Sequence, residues 1–197
     1  MYNSSNFQLK VCGMKDPLQI EELARNEHVG MIGHLFYPLS KRYYGGPKIT
    51  TEGVEKVGVF VDQSIEEISG FITKHDLDYA QLHGSESPAF CLELSKKCKI
   101  IKAFGIDENF DFNVLATYEQ SVSLFLFDTK TVLHGGSGKS FDWKLLEKYQ
   151  GNIDFLLSGG IQLDSANELK KLNHKRLIGF DINSGFENKP GDKNIFL

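Results

Sequence analysis

The 197-residue sequence has no apolar run approaching the roughly 20 residues of a membrane span, so no membrane partner is expected. Its opening, MYNSSNFQLK, lacks the apolar core of a signal peptide. Cysteine is scarce: three residues, an odd number without metal-ligand spacing, which argues against a disulfide framework and against a bound metal. Cys91 and Cys98 stand seven apart in CLELSKKC, a helical spacing that suits core or boundary positions, and free thiols suit a reducing cytoplasm. Positive charge is not in excess. The net charge of −4 gives no electrostatic reason to expect nucleic acid. An early GxGxxG is also missing, which weighs against a dinucleotide-binding open sheet. What remains, 41% apolar and 24% charged residues, describes a soluble globular chain. Its length predicts one domain over residues 1–197.

The most informative stretch is LFLFDTKTVLHGGSGKSFDW, residues 124–143. Four apolar residues make a buried strand, too short for a helix. The strand ends on Asp128, and Gly135, Gly136, Ser137 and Gly138 follow. Ser140 is placed to cap a helix starting near Phe141. Glycines let backbone N–H groups close on a phosphate, and a helix N-terminus adds positive potential. The plain reading is a surface aspartate and a flexible loop, so the rest of the chain has to decide.

Short apolar runs recur at 8–12, 31–36, 57–61, 79–83, 100–104, 124–128, 154–158 and 177–183. Their ends are 21 to 30 residues apart, with helical patterns between. That is a βα repeat and a parallel sheet. Eight units predict an α/β fold, a (β/α)8 TIM barrel, with an open doubly wound sheet as the alternative. Asp16-Pro17 opens the first helix, to about Asn26. Ser64 and Glu67 form a capping box for the third. The fourth runs from 85 to 97, the fifth from 107 to 120, the sixth from 141 to 149 and the seventh from 164 to 172. Between Arg42 and Val57 the second helix is abridged or missing. After Ser184 only 13 residues remain, with Pro190 and Gly191 among them, so the eighth is missing or truncated.

Active sites of such barrels lie at the C-terminal ends of the strands. Those ends carry Cys12, Arg42, His83, Asp128, the pair Gly159 and Gly160, and the run Asp181, Asn183, Ser184 and Gly185. The glycine-bearing ends after strands six to eight cluster on one side, where barrels commonly bind phosphate. Cys12 is a base if it ionises, and a small buried hydrophobe otherwise. Asp128 is an acid if burial raises its pKa. Facing each other from strands one and six, they suit moving a proton on a sugar phosphate. Arg42 suits a carboxylate or a phosphate by bidentate pairing, against the plain reading of a solvated loop arginine. His83 reads as a hydrogen-bonded structural histidine at the rim of the same site.

KVCGMK at 10–15, FYPLSKRY at 36–43, VGVFV at 57–61, QLHG at 81–84 and FDTKT at 127–131 occur in this order. GGSGKSFDW at 135–143, LSGGI at 157–161 and DINSGFENKPG at 181–191 complete the set. Together they resemble the phosphoribosylanthranilate isomerase family over nearly the whole chain. The resemblance implies a (β/α)8 barrel and an Amadori rearrangement of N-(5-phosphoribosyl)anthranilate in tryptophan synthesis. It implies Asp128 as the acid on the ribose ring oxygen, Cys12 as the base at C2′, and Arg42 on the anthranilate carboxylate. His83, Gly136, Gly138, Gly159, Gly160, Asp181, Ser184 and Gly185 are the implied substrate contacts. No cofactor or metal is implied, because the iminium intermediate is itself the electron sink. The partner implied is a small phosphorylated molecule, and the assembly a monomer or homodimer.

The sequence departs from that family pattern in several places. The second helix is abridged and the eighth is cut short. His34 stands where the family has an apolar residue, and Asn183 replaces the first serine of DxSSG. Two other readings stay open. One is a barrel that binds ligand without catalysis. The other is a related sugar-phosphate isomerase of histidine synthesis, which resembles an Asp/Asp pair and is opposed by the thiol at position 12.

Overall fold

The structure, a computed structural model, describes residues 7–130 and 141–194. Eight strands run in chain order: β1 (Gln8–Cys12), β2 (Val29–Leu35), β3 (Glu55–Phe60), β4 (Tyr79–Leu82), β5 (Lys99–Ile106), β6 (Leu124–Thr129), β7 (Phe155–Leu157) and β8 (Leu177–Ile182). Each pairs in parallel with the next, and β8 pairs with β1, so the sheet closes into a barrel. The open-sheet alternative is therefore excluded.

Side chains alternate across each strand, and the alternation separates two cores. Met31, Val57, Tyr79, Ile101, Ala103, Leu124, Leu126 and Leu156 form one cluster. Their registers (Val57 beside Tyr79, Ile101 beside Leu124, Leu126 beside Leu156) make them a layer inside the barrel. Their neighbours in sequence, such as Ile32, Ile100, Phe125 and Phe155, point outward and pack against Ile68, Leu94 and Tyr149 of the connecting segments.

Those segments are less helical than the sequence predicts. α1 (Pro17–Ala24) starts where expected: the Asp16 carboxylate accepts the Leu18 N–H at 2.9 Å. α2 (Ile65–His75) carries the expected capping box, Ser64 with Glu67. α3 (Pro88–Leu94) is capped by Ser87 and stops short of Lys97. The predicted fifth and sixth helices are 3-10 segments, Phe112–Tyr118 and Trp143–Lys148. The seventh is the 3-10 turn Leu163–Ser165 leading into α4 (Ala166–Leu169). Trp143–Lys148 is ended by Tyr149, whose backbone turns extended while its hydroxyl donates to Ile153 O at 2.7 Å. The ring packs against Phe125, Phe127 and Phe155. Burying that ring outweighs another helical turn.

No helix is found among the described residues from 37 to 54. There the Tyr44 N–H donates to Leu35 O at 2.7 Å, and Tyr44 and Ile49 fill the outer core instead. In place of an eighth helix stands a hairpin, β9 (Glu187–Lys189) with β10 (Asp192–Lys193). Gln19 of α1 holds it: Nε2 donates to Asp192 Oδ1 at 2.8 Å and to Lys193 O at 3.1 Å, and Oε1 accepts the Lys193 N–H at 3.0 Å. No helix among the described residues is long and apolar enough to cross a membrane.

Candidate active site

Cys12 ends β1, and Lys10 lies two residues earlier, so both face the barrel interior. Both are buried, Lys10 completely. Lys10 stands in register with Asp181 of β8, and its Nζ donates to Asp181 Oδ1 at 2.9 Å. A charge this deep must be paired. Burial pulls Lys10 down, but its pairing with the Asp181 carboxylate leads the opposing effects, which together hold it above its ordinary pKa. Cys12 is pulled both ways. Burial pushes the thiol up, the Lys10 and Lys193 cations draw it down, and Asp181 pushes it up again. The balance is upward, so Cys12 rests as a thiol beside a fixed cation. Nothing in the composition suggested Lys10. The signal was available in KVC, a lysine two residues from the thiol within a buried strand.

Asp128 approaches from β6. Its side chain is 17% exposed, more open than its place at the end of an apolar strand predicts. Oδ1 accepts the Thr129 N–H at 2.7 Å, and Oδ2 stands 3.4 Å from His83 Nε2. Gln81 Nε2 lies 3.1 Å from His83 Nδ1. With that amide as donor, Nδ1 accepts and the ring proton sits on Nε2, facing Asp128. The residues flanking His83 are clamped from outside the barrel. Lys102 Nζ donates to Leu82 O, Gly84 O and Glu86, while Glu86 accepts the Gly84 and Asp62 N–H groups. His83 is thus hydrogen-bonded as expected, with its free edge aimed at Asp128.

Gly159 and Gly160 follow β7 with φ of +85° and +67°. A Cβ at Gly159 would strike the Thr129 amide and Asp128 Oδ1, so only glycine lets this turn pass so close to the carboxylate. A Cβ at Gly185 would strike Ile161 O, which shows the loops after β7 and β8 lying against each other. Ser184 opens the 3-10 turn Ser184–Phe186 there. Gly136, Gly138 and Ser140 lie outside the described residues.

Arg42 comes from the segment after β2, and its guanidinium meets a carboxylate already present in the protein. Nε lies 3.0 Å from both Glu187 oxygens, and Nη2 lies 2.6 Å from Oε2. Glu187 also accepts from Lys193 Nζ at 2.8 Å and from the Gly191 N–H at 3.1 Å. Lys193 Nζ donates further to Asn183, to O at 3.1 Å and Oδ1 at 2.7 Å. Asn183 therefore anchors the hairpin through its side chain. Gly13, at φ +80°, brings this cluster next to Cys12: a Cβ there would lie 2.7 Å from Asn183 Oδ1 and 2.8 Å from Arg42 Cδ. Glu187 and Lys193 were hidden in a tail that reads only as an unfinished helix. His34 faces away from the site, against Tyr44.

A thiol and a carboxylate thus stand at the C-terminal ends of β1 and β6, with an arginine beside Gly13, the residue after the thiol, and glycines closing the loops after β7 and β8. A family model described as N-(5'phosphoribosyl)anthranilate (PRA) isomerase matches residues 9–197. The chain belongs to the phosphoribosylanthranilate isomerase family. The N-(5'-phosphoribosyl)anthranilate isomerase of Parabacteroides distasonis is 43% identical over 195 residues, covering 95% of this chain and 88% of that protein. The phosphoribosyl anthranilate isomerase structure from Thermus thermophilus superimposes with a TM-score of 0.82 at 26% identity, covering 95% of this chain and 92% of that one. A phosphoribosyl anthranilate isomerase in complex with reduced 1-(o-carboxyphenylamino)-1-deoxyribulose 5-phosphate aligns with a TM-score of 0.76 at 26% identity, over 95% of this chain and 92% of that one.

Proposed function

We propose that this barrel converts N-(5-phosphoribosyl)anthranilate to 1-(2-carboxyphenylamino)-1-deoxyribulose 5-phosphate, an isomerase step of tryptophan biosynthesis, with Cys12 as base and Asp128 as acid. The observation that supports the residue assignment is that Cys12 and Asp128 stand at the C-terminal ends of β1 and β6, with Asp181 interacting with both, and that each has a polar partner of its own. Lys10 stands beside the thiol and His83 beside the carboxyl.

Asp128 gives its proton to the ribose ring oxygen as the C1′–O bond breaks. The anilino nitrogen lone pair moves into the C1′–N bond and leaves an iminium. The Cys12 thiolate then removes the C2′ proton, and the C–H electron pair forms the C1′–C2′ double bond while the iminium π pair returns to nitrogen. The resulting enolamine tautomerises to the ketone. Arg42 holds the anthranilate carboxylate beside Cys12, and the loops carrying Gly160 and Gly185 receive the phosphate. Asp181 acts through Lys10 in this scheme and does not touch substrate. Three free thiols fit a cytoplasmic setting.

The decay of phosphoribosylanthranilate fluorescence tests the assignment. Cys12→Ala and Asp128→Asn, with native far-UV dichroism, are each expected to lose at least roughly 10²- to 10⁴-fold in kcat while still binding product. Wild-type turnover in either folded variant removes that residue from the mechanism.

A further inference from the structure

We propose that Glu187 is the positioning residue for carboxylate recognition: it occupies the Nε–Nη2 edge of Arg42 and presents the Nη1–Nη2 edge to the substrate. The proposal rests on the role given to Arg42 above. A guanidinium has five N–H groups in one plane, arranged so that two different edges can each grip a carboxylate with parallel hydrogen bonds. Glu187 takes the side-on edge with contacts of 3.0, 3.0 and 2.6 Å. Among the described residues none takes the end-on edge with Nη1, which can receive a second carboxylate.

Glu187 is well placed to hold that edge permanently. Its side chain is 3% exposed, and two donors that belong to the hairpin, Lys193 Nζ and the Gly191 N–H, keep it there whether or not Arg42 is engaged. Lys193 is itself fixed to the end of β8 through Asn183. An unbroken series of hydrogen bonds therefore runs from the barrel wall through the hairpin to the guanidinium. Arg42 otherwise sits on a segment without helix, where a long side chain would have to be ordered by the incoming substrate. Holding it beforehand lowers the entropic cost of binding. The direction is also set, because Arg42 Cδ and Asn183 Oδ1 bracket Gly13, the residue after Cys12. The three charges do not cancel. Arg42 and Lys193 against Glu187 leave one positive charge, so the cluster still attracts an anion.

The opposite reading makes Glu187 a resident competitor that substrate must displace. The two readings predict opposite signs. Glu187→Gln, Glu187→Asp and Arg42→Ala are to be compared with the unmodified protein, using phosphoribosylanthranilate, alongside the double variant E187Q/R42A. Arg42→Ala is expected to raise KM strongly. Glu187→Gln is expected to raise KM about tenfold, the loss of one charge-assisted contact, with kcat within about twofold. Glu187→Asp retracts the carboxylate and gives an intermediate rise. On KM the double variant is expected to be no worse than Arg42→Ala alone, because Glu187 acts only through Arg42. Inhibition by inorganic phosphate is expected to be unchanged in every variant, which separates a local effect from a loosened barrel. A KM that is unchanged or lowered in Glu187→Gln while Arg42→Ala raises it overturns the proposal, as does an additive double variant. Should Arg42→Ala itself leave KM unchanged, the reading of Arg42 fails first and this proposal fails with it.

Discussion

A buried thiol is a poor base until something pays for its charge, and Lys10 is the group beside it able to do so. Burial pushes Cys12 up, and Lys10 is the foremost influence drawing it back. A base needs its unprotonated form, so kcat/KM is expected to climb with pH as the thiol ionises and to be lost on the acidic side. Replacing Lys10 by Met removes the cation and moves that rise to higher pH. The orphaned Asp181 can take up a proton, but its push on the thiol is the smaller effect, so the sign stands. The pH profile of iodoacetamide alkylation at Cys12 reads the same ionisation without the assay. At neutral pH the variant gives up part of the roughly 10²- to 10⁴-fold contribution of a general base. The pair Lys10→Met/Asp181→Asn removes both charges and controls for the unpaired carboxylate. A profile that stays in place in both variants reduces Lys10 to a structural ion pair.

At the scale of elements, the segment that replaces the second helix leaves a testable weakness. His34 of β2 and His75 of α2 are buried against Tyr44 and Phe36, and no ring nitrogen of either has a hydrogen-bond partner at normal geometry. Burial, which outweighs the nearby Met14 backbone, lowers the pKa of His34 to about 4. The folded chain therefore keeps His34 neutral where the unfolded chain, titrating near 6.5, takes up a proton. The unfolded state binds more protons in that window, so stability falls as pH drops from about 6.5 toward 4, by roughly 2 kcal/mol at pH 5 relative to pH 8. His34→Leu is expected to remove most of that loss, measured as denaturant midpoints at the two pH values. An acid loss of unchanged size would assign it to other groups.

The same elements show how far the sequence could be read. The strands were legible because each is a short apolar run recurring at a regular interval, and closure adds no new sequence signal beyond their number. The caps at Asp16 and Ser64 were legible because capping is local. The segments at 112–118 and 143–148 were not, since residues such as Tyr149 bend the chain for packing that involves distant strands. The strand-end positions of Cys12 and Asp128 could be read because each closes a short apolar run. Glu187 and Lys193 could not, because their partners Arg42 and Asn183 lie 145 and 10 residues away along the chain.

For the whole molecule the decisive feature is the seam where β8 meets β1. Lys10 and Asp181 are 171 residues apart, and Glu187 and Lys193 come later still. A ribosome delivers Lys10 well before Asp181, Glu187 and Lys193. Until then an ammonium destined for full burial has no counter-ion, and that part of the barrel interior must remain wet. The earlier strands can pair with their neighbours as they emerge, but the cavity is unfinished until the last strand arrives. Turnover should therefore report the final event of folding. In refolding from denaturant, far-UV dichroism is expected to recover before activity, and Asp181→Asn to widen that delay. The last strand to emerge thus sets when the first one becomes useful.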